Sequence, residues 1–207
     1  MLYDLVLLLM KIYLRLRFCR FRVEGIENVP LKGRFIFVCN HSSNFDPPIV
    51  GLALLHRRRV HYLAKKELFE VPVLGWIIKN VGAISVDRGH GDLSALKTTL
   101  KVLAREDAMA MFPEGTRAKD GKLPPPKAGI GLIAAKSGAP VVYARLSGTE
   151  GGRIRFGSTV SLIIGGVKTF ESFEGSEGKE KYQEFSAALM KEIYSITEEN
   201  ASEARAR

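Results

Sequence analysis

The segment RFIFVCNHSSNFDPP, residues 34–48, reads as a buried strand that runs directly into the start of a helix. Residues 34–40 form a short, mostly apolar run rich in β formers, which favours a strand buried on both faces, as in a parallel sheet. Asp46 followed by Pro47 and Pro48 is typical of a helix start, because aspartate is a good N-cap and proline suits the first turn. We predict that this helix reaches about residue 56.

The alternation of strand and helix continues on both sides of this segment. We predict further strands at 20–24, 60–64, 83–86, 108–112 and 140–146, and helices at 73–80, 92–105, 128–137 and 179–196. Residues 154–156 and 159–164 look like a closing hairpin. The order predicts a single α/β domain with a mixed, largely parallel sheet flanked by helices, because no linker divides the 207 residues.

The composition and the charge narrow the class of protein. Hydrophobic residues make up 46% and charged residues 26%, which is the range of globular proteins. Two cysteines, Cys19 and Cys39, lack the spacing of a disulfide framework or a zinc site. A net charge of +9 and a pI of about 9.6 favour anionic partners, such as anionic lipid, coenzyme A or an acidic carrier protein. We expect no nucleic acid partner, because no signature of a common nucleic-acid-binding fold is present.

The N-terminal stretch, residues 1–18, is mostly apolar but contains Asp4, Lys11 and Arg15. A membrane-spanning helix needs roughly 20 predominantly apolar residues, and this stretch falls short. On a helix, these three residues and Arg22 would share one stripe, and apolar residues would cover the rest. The pattern predicts an N-terminal amphipathic helix that lies in the membrane interface, with packing on the protein's own core as the alternative.

The first candidate for chemistry is the pair His41 and Asp46, which lie between the buried strand and the helix start. A carboxylate paired with a histidine fixes the tautomer of the ring and raises its basicity. The imidazole could then take a proton from a hydroxyl group. The alternative is that Asp46 only caps its helix and His41 only fills a turn.

Two further candidates also follow predicted strands. Gly115 in the block F-P-E-G-T-R, residues 112–117, would let the backbone approach a ligand closely, and Arg117 could grip a phosphate through two hydrogen bonds. Glu114 would orient an arginine or accept a hydrogen bond from a substrate hydroxyl. The other candidate is Arg88, the last residue of the block G-A-I-S-V-D-R, residues 82–88. The alternative for all of these charges is a solvated turn or strand end.

Together the blocks resemble the glycerophospholipid acyltransferase family, in particular the lysophosphatidic acid acyltransferases. The resemblance covers roughly residues 35–146, where H-x-x-x-x-D, residues 82–88 and F-P-E-G-T-R stand in the family's order. A fourth block resembles residues 139–142, although Tyr143 stands where the family usually continues with proline. Lys127-Ala128-Gly129 is similar to a K-x-G element, with Pro126 in place of the aromatic residue often found there.

The resemblance implies acyl transfer from acyl-CoA or acyl-carrier protein to the sn-2 hydroxyl of lysophosphatidic acid, which forms phosphatidic acid. His41 would be the general base and Asp46 its partner. The glycerophosphate would be held by Arg88, Glu114, Gly115, Thr116 and Arg117. We expect no metal and no bound cofactor, because the thioester is a substrate.

The N-terminal pattern and the predicted reaction together predict a division of the chain and a location. Residues 1–19 would be the interfacial anchor, and residues 20–207 would be the acyltransferase domain, with a frayed tail at 197–207. The enzyme would be peripheral or monotopic on the cytoplasmic face of the cell membrane and would contact an anionic membrane surface.

Several alternatives stay open from the sequence. The acceptor could be glycerol 3-phosphate or another lysolipid, or the protein could bind lipid without turnover. Cys39 lies two residues before His41, so a covalent Cys/His mechanism competes with a structural role for a buried cysteine. The basic cluster at residues 57–59 could meet lipid head groups or donor phosphates, or it could be a solvated helix end.

Overall fold

The computed structural model describes residues 2–87, 92–115 and 126–197, which contain seven strands and six α-helices. The strands are β1 Arg20–Glu24, β2 Phe35–Cys39, β3 Val60–Lys65, β4 Ala83–Val86, β5 Ala108–Met111, β6 Val141–Ser147 and β7 Thr159–Lys168. The helices are α1 Leu2–Leu16, α2 Asp46–Leu54, α3 Leu74–Asn80, α4 Leu93–Ala104, α5 Gly129–Ser137 and α6 Lys179–Ser195. Short 3-10 turns stand at Ile26–Asn28, Lys66–Phe69 and Glu150–Gly152.

The strands pair into one sheet in the order β1-β7-β6-β2-β5-β3-β4. Among the described strands, β6 and β7 pair antiparallel and every other neighbouring pair is parallel. The central strand is β2, in which Phe37 lies opposite Ala110 of β5 and Val142 of β6. The predicted fold class, a mixed and largely parallel sheet flanked by helices, is confirmed.

Both faces of the sheet are covered, which explains the continuous apolar run of β2. Phe35 and Phe37 face a core that includes residues of α1 and α2, and Ile36 and Val38 face a second core that includes residues of α4, α5 and α6. All four side chains are fully buried. Complete burial of such a side chain stabilises a fold by about 1.5–3 kcal/mol, so β2 holds both layers together.

The two predicted roles of the N-terminal helix concern two different faces of α1. One face carries Tyr3, Leu7, Met10 and Leu14, which are buried in the core shared with α2. The opposite face leaves the following apolar side chains exposed: Leu5, Leu8, Leu9, Ile12 and Leu16. Core packing and an exposed apolar surface are therefore both present in one helix.

The charged edge of α1 differs from the predicted stripe in one respect. Arg22 is not part of the helix, because α1 ends at Leu16 and Arg22 lies in β1. Asp4 forms an ion pair with Arg59, at 2.8 Å, and this contact ties the start of α1 to the segment before β3. Among the described residues, no helix combines the length and the apolar character that crossing a membrane requires.

The predicted closing hairpin is wrong. Residues 154–156 form no strand, and β7 pairs instead with β6 on one side and with β1 on the other. Ile154 lies in the loop between β6 and β7, and its side chain is buried in the core that also contains residues of α1 and α2. Its carbonyl oxygen accepts a hydrogen bond from Arg17 Nη2 at 2.8 Å. A short apolar run can thus mark a core contact of a loop as well as a strand.

Candidate active site

Two of the sequence blocks meet at one edge of the sheet. His41 follows β2 and Phe112 follows β5, and these neighbouring strands are parallel, so their carboxyl ends lie side by side. The rings of His41 and Phe112 stack, with centroids 4.2 Å apart and planes inclined by 20°. The fold therefore brings H-x-x-x-x-D and F-P-E-G-T-R together although they are separated by α2, α3 and α4.

The pair His41 and Asp46 has the predicted contact, with His41 Nδ1 and Asp46 Oδ2 2.9 Å apart. The chain turns between them, and α2 then begins at Asp46, with prolines in its first turn. The prediction that Asp46 is the N-cap of this helix is wrong. Phe45 takes that position, and the carboxylate of Asp46 is directed back to the preceding turn.

One carboxylate oxygen of Asp46 accepts three hydrogen bonds. Oδ2 accepts the backbone N–H groups of Ser42 at 2.6 Å and Ser43 at 2.7 Å, in addition to His41 Nδ1. The other oxygen, Oδ1, is buried without a hydrogen-bond partner in the described part of the chain. Because an ionised carboxylate only accepts hydrogen bonds, the neutral imidazole of His41 in this contact has its proton on Nδ1 and a lone pair on Nε2. This is the tautomer that a general base requires.

Glu114 is buried and contacts the backbone of His41, not its ring. Its side chain is 1% exposed, and its Oε1 accepts the backbone N–H of His41 at 3.3 Å and the hydroxyl of Tyr194 at 2.9 Å. Burial raises the pKa of Glu114, and the hydrogen bonds from Tyr194 and His41 oppose that rise. Sequence reasoning missed Tyr194, since it lies in α6, 80 residues after Glu114, and no local pattern connects the two.

A second contact that sequence reasoning missed locks the strand end next to His41. The buried amide of Asn40 donates to the carbonyl of Leu146 and accepts from the N–H of Leu146, both at 2.8 Å. The side chain thereby continues the pairing of β2 with β6 for one residue beyond the strand. The signal was present in the sequence, because a polar residue directly after an apolar strand must find partners when it is buried.

The thiol of Cys39 is poorly suited to act as a nucleophile. Cys39 is 1% exposed and packs in the core with Phe37. Burial raises its pKa well above the usual value, and the negative charges of Asp46 and Glu114 raise it further. The reactive form of cysteine is the thiolate, so these surroundings favour the structural role. Among the described residues, no group of three or more His, Cys, Asp or Glu side chains is placed to hold a metal.

Two cavities meet at His41. The first cavity, about 430 Å³, lies by α4 and α5, and its walls include Leu96, Ile130 and Lys127. The second cavity, about 370 Å³, lies between α1, α2 and α3, and its walls include Leu7 and Ile77. The walls shared by both cavities are His41, Leu63 and Phe112. The imidazole therefore stands where contents of the two cavities could touch.

Three of the predicted substrate-binding residues, Arg88, Thr116 and Arg117, lie outside the described residues. Their chain neighbours Asp87 and Gly115 are in the wall of the first cavity. Gly115 has a φ of +64°, and a Cβ there would stand 3.0 Å from the side chain of Lys127. Only glycine adopts this backbone at little cost, so the turn after β5 depends on it.

The basic cluster at residues 57–59 is largely engaged within the protein. Arg58 donates to the carbonyl oxygens of Gly33 and Glu106, each at 2.6 Å, and its guanidinium lies 5.5 Å from the ring centre of Phe35. Arg59 makes the ion pair with Asp4. These contacts join α1, β2 and the end of α4 to the loop before β3, which is a structural role.

Comparison with known proteins adds an independent line of support. A family model described as Acyltransferase matches residues 20–146. A Bacillus subtilis protein named 1-acyl-sn-glycerol-3-phosphate acyltransferase is 33% identical over 173 residues, which are 83% of this chain and 85% of that protein. The Brassica napus chloroplastic 1-acyl-sn-glycerol-3-phosphate acyltransferase BAT2 is 34% identical over 130 residues, 61% of this chain and 37% of that longer protein.

The fold comparison agrees with the sequence comparison. The crystal structure of the 1-acyl-sn-glycerophosphate (LPA) acyltransferase PlsC from Thermotoga maritima superposes with a TM-score of 0.71 at 28% identity. The match covers 94% of this chain and 80% of that chain. It therefore extends beyond the blocks that carry the sequence resemblance.

Proposed function

The chain belongs to the Acyltransferase family, and on that premise we propose that it transfers a fatty acyl group from a thioester to the sn-2 hydroxyl of lysophosphatidic acid. The product would be phosphatidic acid. The observation that carries the proposal is the placement of His41, paired with the buried carboxylate of Asp46, in the common wall of two cavities. Mere binding of a lipid would not need a histidine whose tautomer is set by a buried carboxylate.

The chemistry needs one proton acceptor and no covalent enzyme intermediate. Nε2 of His41 takes the proton of the sn-2 hydroxyl while the oxygen attacks the thioester carbonyl carbon. The tetrahedral intermediate then collapses, the C–S bond breaks, and the leaving thiolate takes the proton back from the imidazolium. Asp46 stabilises the imidazolium in between. General-base assistance of this kind contributes on the order of 10²–10⁴ in rate.

We place the acceptor phosphate at the rim of the first cavity. Arg88, Thr116 and Arg117 neighbour wall residues of that cavity in the chain, and Lys127 lines it. Gly115 would allow close approach of the phosphate to the backbone. Glu114 is 1% exposed and lines neither of these two cavities, so we assign it to holding the backbone of His41 and not, as the sequence predicted, to contact with the acceptor.

We assign the donor's acyl chain to the second cavity. Its walls include Leu7, Leu74 and Ile77, and apolar walls of this kind suit a fatty chain, because burying each CH₂ group gains about 0.8 kcal/mol. The reacting carbonyl would then reach His41 at the end of this cavity. The thioester would come from acyl-CoA or acyl-carrier protein.

We further propose that the protein works, as a peripheral or monotopic enzyme, on the cytoplasmic face of an anionic membrane. The exposed face of α1 supplies apolar side chains, and the chain carries a net charge of +9. Both cysteines are free, which suits a reducing compartment. The second cavity has walls from α1, so a membrane-bound helix would lie next to the acyl site.

The central experiment measures release of free thiol from a long-chain acyl-CoA with and without lysophosphatidic acid. We expect release that depends on the acceptor, together with phosphatidic acid as the lipid product. Glycerol 3-phosphate in place of lysophosphatidic acid tests the acceptor class in the same assay. Release without any acceptor would indicate a thioesterase and would contradict the proposal, as would a lack of release with both acyl-CoA and acyl-carrier protein donors.

The membrane assignment is tested on the exposed face of α1. Leu8→Glu and Leu9→Glu should weaken sedimentation with anionic vesicles, because these side chains are 52% and 56% exposed and would no longer enter the interface. Val167→Glu is the matched control, since Val167 is 46% exposed but lies on β7. If Leu8→Glu and Leu9→Glu bound the vesicles as strongly as Val167→Glu, the proposed role of α1 would be contradicted.

A further inference from the structure

The end of α6 reaches the back of the candidate active site, although it lies outside the residues that the family model matches. Tyr194 is the next-to-last residue of α6. Its hydroxyl donates to Oε1 of Glu114 at 2.9 Å, and the same oxygen accepts the backbone N–H of His41 at 3.3 Å. Two hydrogen bonds thus connect the C-terminal helix to the backbone of the proposed base.

We propose that Tyr194 is a positioning residue for the acyl transfer proposed above, on which this inference rests. Its hydroxyl holds the Glu114 carboxylate against the backbone N–H of His41. This contact keeps the imidazole stacked on Phe112 and directed towards both cavities. Tyr194 acts only through Glu114 and does not touch the reacting atoms.

The helix that carries Tyr194 is firmly anchored. Phe185, Leu189 and Ile193 of α6 are fully buried in the core beneath α5 and β6. The guanidinium of Arg145, on β6, lies 4.1 Å from the ring centre of Tyr194. Because the ring is held on one side by a cation and its helix is packed into the core, the hydroxyl has little freedom to leave Glu114.

The charge state of Glu114 makes this contact sensitive to pH. An ionised carboxylate accepts hydrogen bonds more strongly than the neutral acid does, and burial raises the pKa of Glu114, so protonation at low pH weakens its hold on His41. The ionisable groups around Glu114 include His41 with its partner Asp46, Tyr194 with Arg145 over its ring, and Cys39. Since the hydrogen bond from Tyr194 lowers the pKa of Glu114, its removal should move protonation of Glu114 to higher pH.

The test compares Tyr194→Phe with Tyr182→Phe in the full-length protein. Both replace a half-buried tyrosine of α6 by phenylalanine, but Tyr182 packs against Phe170 and not against the site. For Tyr194→Phe we expect kcat to fall about tenfold, the scale of one hydrogen bond to a charged group, with KM for both substrates unchanged. The acid limb of its kcat profile should move to higher pH. Tyr182→Phe should match the wild type in kcat and in pH profile.

The outcomes separate this inference from the function on which it rests. Thermal unfolding of both variants is measured alongside, because a purely structural role would lower Tm without moving the acid limb. Acceptor-dependent turnover by the wild type with an unchanged kcat and acid limb in Tyr194→Phe overturns the inference alone. Absence of wild-type turnover overturns the proposed function and this inference together. A shifted acid limb with unchanged KM supports the positioning role.

Discussion

The protein contains two histidines in the sheet region, His41 and His61, whose Nδ1 atoms have almost the same geometry. Nδ1 of His41 lies 2.9 Å from Oδ2 of Asp46, and Nδ1 of His61 lies 2.9 Å from the carbonyl oxygen of Gly82. Both partners accept, so the neutral form of either ring has its proton on Nδ1 and a lone pair on Nε2. Tautomer alone therefore does not distinguish a base from a structural histidine.

The two sites differ in charge and in place. The partner of His41 is a buried carboxylate, whereas the partner of His61 is a neutral carbonyl. His41 stands after the carboxyl end of β2 and lines two cavities, but His61 is the second residue of β3 and is absent from the walls of both. A carboxylate partner would stabilise an imidazolium more than a carbonyl does, and a base must also reach its substrate, so of these two histidines His41 is the better suited to the proposed role.

The largest effect should come from removing the imidazole at His41. We expect His41→Ala to lower kcat for acceptor-dependent thiol release by on the order of 10³–10⁴, near the upper end of general-base contributions. Circular dichroism and vesicle binding should match the wild type, because the ring is a minor part of the core. If His41→Ala kept a near-normal kcat, His41 would not be the base, and its contrast with His61 would have no functional meaning.

An intermediate effect is expected from Asp46→Asn, which removes the negative charge next to His41 and keeps the shape of the side chain. The amide oxygen can replace Oδ2 and keep the hydrogen bonds from Ser42, Ser43 and His41, with the NH₂ group at the position of the unpartnered Oδ1. The tautomer would then be retained while the charge that stabilises the imidazolium is lost. We expect kcat to fall by about 10², less than for His41→Ala. Equal losses in the two variants would show that the pair does more than stabilise charge.

The smallest effect belongs to His61→Ala. Activity should stay within about twofold of the wild type, because the ring does not take part in the proposed chemistry. The lost hydrogen bond to Gly82 should lower the free energy of unfolding by about 1 kcal/mol, measured by urea denaturation. If His61→Ala instead lost activity in proportion to His41→Ala, the contrast between a charged and a neutral partner would have no functional meaning.

Local patterns were sufficient for most of the fold. The predicted bounds of β1 and β4 agree with the structure, and the other predicted central strands and helices differ by a residue or two at their ends. Such elements are set by neighbouring residues, through apolar runs, helical spacing and turn residues. The proximity of His41 and Phe112 was also predictable, since carboxyl ends of neighbouring parallel strands lie together.

The misses concern contacts between distant parts of the chain. Nothing near residues 159–168 indicates that β7 pairs with β1 as well as β6, and nothing near Tyr194 indicates that its hydroxyl meets Glu114. The contact of Asp46 with His41 was predicted, but its hydrogen bonds from the backbone N–H groups of Ser42 and Ser43, in place of a helix N-cap, were not. The competition between the helix and the preceding turn for the carboxylate oxygens is decided by geometry. The donor, the phosphate contacts and the division of the chain at residues 19 and 20 stay predictions.

The pairing of β1 with β7 has a consequence for biosynthesis. Arg20 pairs with Thr159, so the two strands are synthesised about 140 residues apart. At about 5–20 residues per second, β1 waits on the order of ten seconds for its partner. If α1 binds a bilayer as proposed, its exposed leucines are available for that contact throughout this interval. Membrane attachment of α1 would then precede closure of the sheet, so that the chain would finish folding at the lipid surface.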